Sequence, residues 1–261
     1  MIESTKNPGV KTLTGLLKKA KNRNEEGVFV VEGRRMFEEA PLEEIKKIYV
    51  SAGFLDRYGK DKNIADKLEA VGYEVLRDDV YEYASDTKTP QGIMCIMKQK
   101  KYVAESILEA PNPLIIFGEN IQDPGNLGTI IRTAEGAGVT GIILSTGTAD
   151  IYNPKVIRST MGSIFRMPVC YVSDMVATIG AARARGIEVY AAHLAGKESY
   201  DAADYKTASA FIIGNEGNGI TKECAGAASK LIKIPMKGEL ESLNAAVAAT
   251  VLMFEAARQR R

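Results

Sequence analysis

Short runs of apolar and β-branched residues alternate with stretches whose apolar positions recur every three or four residues, the pattern of an α/β chain. Leu13, Leu16, Leu17 and Ala20 fall on one helical face with Lys11, Lys18 and Lys21 opposite, which predicts a helix over 10–23. Strands are predicted at 28–31, 47–51, 73–77 and 92–97, with helices over 34–40 and 61–71. Together these form a small αβα domain over 1–99. Residues 100–112, between Lys100 and Pro113, have weak periodicity and read as a linker. The second domain, 113–261, opens with four consecutive apolar residues at 114–117, as expected of a strand buried on both faces of a parallel sheet. A helix over 127–137 follows, then strands at 141–144, 169–172, 188–192, 210–213 and 231–234. The last helix, 243–258, carries Leu243, Val247, Val251 and Phe254 together with Ala245, Ala246, Ala248 and Ala249. Apolar on more than one side, it belongs in a core or a subunit interface.

Composition narrows the chemistry. A chain of 261 residues with 45% apolar content can bury two cores. Net charge is +1, so a nucleic-acid partner would be drawn by local patches rather than by overall charge. The most one-sided patch is residues 1–24, with six basic residues against Glu3. It reads either as a solvated helix face or as a phosphate-contacting one. No run approaches the roughly 18 apolar residues of a membrane span, and residues 1–11 lack a secretory apolar core, so the cytoplasm is expected. Three widely spaced cysteines and a single histidine, His193, argue against a disulfide framework or a metal cluster. His193 stands at a predicted strand end with no nucleophile elbow around it and reads as an ordinary strand-end residue.

Three loops carry polar residues after predicted strands. In residues 119–132, Asp123-Pro124-Gly125 forms a turn, Asn126 is a natural N-cap, and Arg132 emerges in the second helical turn. This is either an amide and a guanidinium over a phosphate-bearing substrate or a cap beside a surface arginine. Glycines after a strand also suggest a dinucleotide site, but the G-x-G-x-x-G spacing is missing. Residues 214–219, Gly-Asn-Glu-Gly-Asn-Gly, permit close approach of main chain to a ligand, or simply a tight strand-to-helix connection. The third, 234–244, leads through Ile234, Met236 and Ser242 to Asn244; Ser242 can cap the last helix.

In this order, the three loops resemble the three motifs of the SpoU (TrmH-type) branch of the SPOUT RNA methyltransferases. The resemblance covers 113–258, including the middle segment Tyr152-Asn153-Pro154-Lys155 to Pro168, and residues 6–40 with Glu32-Gly33 resemble the substrate-binding domain found in many members. It implies an α/β fold with a mostly parallel sheet and a C-terminal trefoil knot, preceded by the small αβα domain. It implies S-adenosylmethionine as cofactor, held by Gly214, Ile234, Met236 and Leu243, and a homodimer with its active site beside the interface. Asn126, Arg132, Glu216, Ser242 and Asn244 would be the catalytic set. The implied reaction is methylation of a ribose 2′-hydroxyl, of ribosomal RNA by analogy, with transfer RNA as the alternative. Lys6, Asn7, Lys11, Lys18, Arg23 and Arg34 are the candidates for RNA contact. The rival readings are a non-catalytic RNA-binding protein on the same fold, against which the intact polar set stands, and a dinucleotide-dependent dehydrogenase, which lacks its turn.

Overall fold

The computed structural model describes residues 1–261, and the chain packs as two units. One comprises Met1–Lys100 with Asp150–Phe165, the other Lys101–Ala149 with Arg166–Arg261. The middle segment read with the second domain therefore folds largely with the first.

The first unit begins with α1 (Pro8–Lys18) and α2 (Ala20–Glu26), where the sequence pattern predicts one helix. The chain breaks at Lys19, in extended conformation, and the physical reason is Arg23. Its guanidinium turns back to donate to the carbonyls of Leu16 and Leu17 at 2.7 and 3.3 Å, two groups a helix end leaves without partners. Val10, Leu13, Leu16 and Leu17 bury the apolar face, as the spacing requires. There follow β1 (Val28–Glu32), α3 (Arg34–Glu39), β2 (Ile45–Ser51), α4 (Ala52–Tyr58), α5 (Lys62–Val71), β3 (Glu74–Leu76), α6 (Asp78–Ala84) and β4 (Ile93–Lys98). The sheet order is β1-β4-β2-β3, antiparallel except for the β2–β3 pair. Its core joins α1 to Val28, Val30, Tyr49, Leu76, Tyr81 and Met94.

The second unit starts earlier than expected. Residues 104–108, read as linker, form α7 (Ala104–Leu108), whose Ile107 and Leu108 are buried in that unit's core. Then come β5 (Leu114–Gly118), α8 (Pro124–Gly136), β6 (Gly141–Ser145), α9 (Pro154–Thr160), β7 (Val169–Val172), α10 (Met175–Ala184), β8 (Glu188–Ala192), β9 (Glu198–Ser199), β10 (Ser209–Ile213), α11 (Lys222–Ala227), β11 (Lys230–Lys233) and α12 (Ala245–Gln259). All but α9 belong to this unit. Seven strands in the order β7-β6-β5-β10-β8-β11-β9 pair in parallel throughout. The central strands β5 and β10 are buried at every position, which is why 114–117 and 210–213 read as unbroken apolar runs; the one polar side chain, Ser209 at the start of β10, donates its hydroxyl to Thr207 O at 2.6 Å. Neighbouring β5 and β10 send their chains in opposite directions across the sheet, to β6 and toward β11. Such a reversal opens a crevice at the strands' carboxyl ends, the usual place for a ligand in a parallel sheet. No helix is long and apolar enough to cross a membrane.

Candidate active site

The loop after β5, residues 119–123, and the loop after β10, residues 214–219, leave adjacent strands at the same end. The third loop leaves β11 and enters α12, which packs on α8 and β10. Sheet topology alone thus gathers three loops that are distant in sequence.

The helix caps are shifted from their predicted positions, and the shift matters. Asp123, not Asn126, caps α8, accepting the Asn126 N–H at 2.8 Å. Asn126 therefore lies inside the helix with its side chain free for other work. Likewise Asn244, not Ser242, caps α12: its Oδ1 accepts from the N–H groups of Ala246 and Val247 at 2.9 and 3.3 Å. That cap directs the Asn244 amide nitrogen outward, where it donates to Asn126 Oδ1 at 3.0 Å. The Asn126 nitrogen in turn donates to Glu216 Oε1 at 3.0 Å. The orientation of each amide is dictated from both ends, since the helix supplies only donors and an ionised carboxylate only accepts.

Glu216 completes the chain by accepting from the backbone N–H groups of Asp123 and Gln122 at 3.2 and 3.3 Å. Partial burial works against its ionisation, but the Asn126 side chain and these main-chain donors outweigh it and hold the carboxyl below its usual range. Glu216 is therefore an anion that braces two loops and a poor proton acceptor.

The structure sorts the five predicted catalytic residues into two groups. Asn126, Glu216 and Asn244 are joined as described. Ser242 is exposed and makes no side-chain hydrogen bond, and Arg132 is exposed on α8 without a hydrogen bond or ion pair. Beside this network lies a cavity of about 340 Å³, in the range of small-molecule sites. Gly214, Ile234, Met236 and Leu243 all line it, with Glu216 and Ser242 at its polar side and Ala245 and Ala248 of α12 at its apolar side. A Cβ at Gly214 would collide with the backbone of Gly219 and Ile220, so only glycine lets this loop close on itself. His193 also lines the cavity. Its N–H donates to Ile232 O at 2.9 Å and its Nδ1 accepts from Ala195 N at 3.1 Å, a structural arrangement at the end of β8.

Sequence reasoning missed two residues behind the network. Glu119, buried at the end of β5, accepts from both the N–H and the hydroxyl of Thr221, the cap of α11, at 2.9 and 2.7 Å. Asn120 links the first loop to its neighbours, as described below. A carboxylate directly after an apolar strand was the available signal for the first; nothing in the pattern marked the second.

The predicted RNA contacts are not gathered in this way. Lys6, Lys11 and Lys18 are exposed. Asn7 caps α1, accepting from Gly9 N at 2.8 Å. Arg34 is shared between Glu38 and Asp61, at 2.6 and 3.2 Å, and lies over the Tyr58 ring. Arg23 has to be removed from the set of RNA contacts. It is 3% exposed and paired with Asp150 at 2.6 Å, so its guanidinium is already engaged inside the unit.

Comparison with known proteins agrees with this geometry. The model of the SpoU rRNA Methylase family matches residues 113–254, and that of the MRM3-like substrate binding domain matches 7–95. The chain belongs to the SpoU rRNA methylase family. It is 34% identical to the 23S rRNA (guanosine(2553)-2′-O)-methyltransferase RlmP of Bacillus subtilis, over 97% of each protein. It is 30% identical to human mitochondrial rRNA methyltransferase 3, over 97% of this chain and 74% of that protein. The crystal structure of an AdoMet-bound rRNA methyltransferase from Sinorhizobium meliloti superposes with a TM-score of 0.85 at 33% identity, covering 98% of this chain and 97% of the other.

Proposed function

We propose that this protein transfers a methyl group from S-adenosylmethionine to a ribose 2′-hydroxyl of ribosomal RNA. The observation that carries the reading is the hydrogen-bonded chain Asn244–Asn126–Glu216 at the edge of a cavity walled by main chain. The full-length relatives named above act on ribosomal RNA, and this favours ribosomal over transfer RNA.

The cavity fits the cofactor. The main chain of 214–219 forms one wall for a purine and ribose, while Ile234, Met236, Leu243, Ala245 and Ala248 offer apolar surface to a thioether chain. When bound there, S-adenosylmethionine supplies an electrophilic methyl group on a sulfonium leaving group. The protein's part is to align the hydroxyl and to manage one proton. Asn126, Glu216 and Asn244 form the rigid frame for this work, already satisfied by one another. The two unengaged side chains, Ser242 and Arg132, are the ones left to meet substrate. Arg132, whose guanidinium offers only donors, would clamp the phosphate beside the target ribose and steady charge building on the 2′-oxygen. With Glu216 held ionised, the proton passes to a phosphate oxygen or to water.

We further propose a homodimer. Val247 and Phe254 on α12 are 48% and 46% exposed and, with half-buried Val251, form one stripe at helical spacing, while Ala245, Ala249, Leu252, Met253 and Ala256 face inward. The family's trefoil knot is part of the same proposal: the chain leaves β11 near the sheet's edge and returns to its centre as α12. Lys6, Lys11 and Lys18 remain the proposed RNA contacts, and the cytoplasm the proposed location.

The test is transfer of label from tritiated S-adenosylmethionine to unmodified ribosomal and transfer RNA, by wild type and Arg132→Ala. Label in ribosomal RNA, at an alkali-resistant linkage and lost in the variant, is expected. Label only in transfer RNA would keep the chemistry and change the substrate. Label in neither would remove the reading.

A further inference from the structure

Behind the Asn244–Asn126–Glu216 chain runs a second row of polar contacts that the proposed chemistry does not use. Asn215, next to Glu216, donates its side-chain amide to the carbonyl of Asn120 at 2.8 Å. Its Oδ1 accepts from the N–H groups of Gly217 and Asn218 at 2.9 and 3.0 Å. Its main chain closes the loop on Gly219 with a reciprocal pair of hydrogen bonds, 3.0 and 2.9 Å. One side chain thus satisfies the inner N–H groups of the loop and ties the loop to its neighbour.

The anchor at the other end is equally specific. Asn120 has φ +53°, a left-handed conformation that asparagine tolerates better than most side chains. Ser145, at the end of β6, holds it there. The Ser145 hydroxyl accepts from Asn120 N at 2.9 Å and donates to Asn120 Oδ1 at 3.0 Å. With its N–H and side-chain oxygen both fixed, the Asn120 carbonyl is presented to Asn215. The row Ser145–Asn120–Asn215 joins the ends of β6, β5 and β10, three adjacent strands. Asn215 borders the cavity; Asn120 and Ser145 do not.

We infer that Asn215 is a positioning residue for the cofactor, fixing the main chain of residues 214–219 in its binding conformation, and that Ser145 acts on the same loop at a distance through Asn120. This rests on the S-adenosylmethionine reading of the cavity. The two hydrogen-bond chains then play separate roles. The outer one aligns the reacting groups, and the inner one sets the affinity of the loop for the cofactor.

Calorimetric titration of the whole protein with S-adenosylmethionine, RNA affinity measured in parallel, tests this. Asn215→Ala should bind S-adenosylmethionine about tenfold more weakly, the loss of a specific buried-side hydrogen bond, with RNA affinity unchanged. Asn215→Asp, which keeps the acceptor for Gly217 and Asn218 but loses the donor to Asn120, should be weakened comparably. Ser145→Ala should be weakened severalfold although Ser145 lines no part of the cavity, and it carries the test if Asn215→Ala does not fold. The double variant should fall short of the product of the single effects, because both act through one anchor. In the ligand-free protein, amide hydrogen exchange at Gly217 and Asn218 should quicken in Asn215→Ala. Variant affinities equal to wild type, or unchanged exchange, would overturn the inference while leaving the cofactor reading intact. A parallel loss of cofactor and RNA affinity with a lowered melting temperature would reduce Asn215 to a general structural role. Failure of the wild type itself to bind S-adenosylmethionine would sink the cofactor reading, and this anchor with it.

Discussion

The polar residues of the three loops and the basic residues of the first 34 positions both stand out in the sequence, and the fold treats them in opposite ways. Asn126, Glu216 and Asn244, up to 118 residues apart, meet within hydrogen-bond distance. The basic residues, close neighbours in sequence, are divided: Arg23 is drawn inside, Arg34 is held by two carboxylates, and Lys6, Lys11 and Lys18 stay exposed. A site for bond-making needs fixed angles, which a parallel sheet provides by delivering loops to one end. A surface for a phosphate backbone needs only charge within a Debye length and tolerates dispersion.

The sharpest break in that comparison is on the fixed side. Arg132→Ala should lower the rate of methyl transfer by roughly 10²–10³ while leaving cofactor affinity unchanged, as measured by single-turnover kinetics and calorimetry. Arg132→Lys with most activity retained would refute a bidentate guanidinium clamp. Next, Arg23→Met should destabilise the protein by about 2–3 kcal/mol, because Asp150 and two helix-end carbonyls lose a charged donor. This would appear as a lower denaturation midpoint with RNA affinity per folded molecule unchanged. On the dispersed side, exchanging Lys11 and Lys18 for glutamine should weaken RNA binding and reduce the salt dependence by about one unit of slope for each phosphate no longer neutralised. A salt slope equal to wild type would remove α1 from the RNA surface.

The smallest effect concerns pH. The folded-state pKa of Glu216 is depressed, so its contribution to stability is complete above the unfolded carboxyl pKa, about 4.3, and is lost as pH falls through the lowered value. Glu216→Gln should lack this increment, so the melting temperatures of variant and wild type should converge as the solution is acidified below about pH 4. A constant difference across that range would show that Glu216 does not titrate as described.

How much was legible follows the same division. Strands β5 and β10 announce themselves because burial on both faces favours apolar side chains, with only Ser209 at the start of β10 polar. The three loops were visible because glycine, asparagine and acid cluster directly after strands. What could not be read was which of several capping residues caps. Asp123 and Asn126, or Ser242 and Asn244, are equally suited by type, and only the entry angle of the chain selects one. Had Asn126 been the cap, its side chain would have been turned toward its own helix instead of toward Glu216. Arg23 was misassigned because a cation among cations looks like surface; its burial depends on Asp150, 127 positions away. Asn120 and Asn215 were illegible as a pair because their link runs through a main-chain carbonyl, which has no residue signature.

The double duty of Asn244 has a consequence for the order of events in folding. The same side chain that starts α12 also closes the polar network, so the helix cannot begin in its native place without the site being assembled. Contacts of such long sequence separation form late, after the local structure around them. On the ribosome, loops one and two emerge well before α12, and until it docks Asn126 lacks its outer partner. A chain in which α12 has not docked therefore lacks both the closed polar network and the part of the cavity wall that Leu243, Ala245 and Ala248 supply. Assembly of the site is in this way tied to completion of the fold.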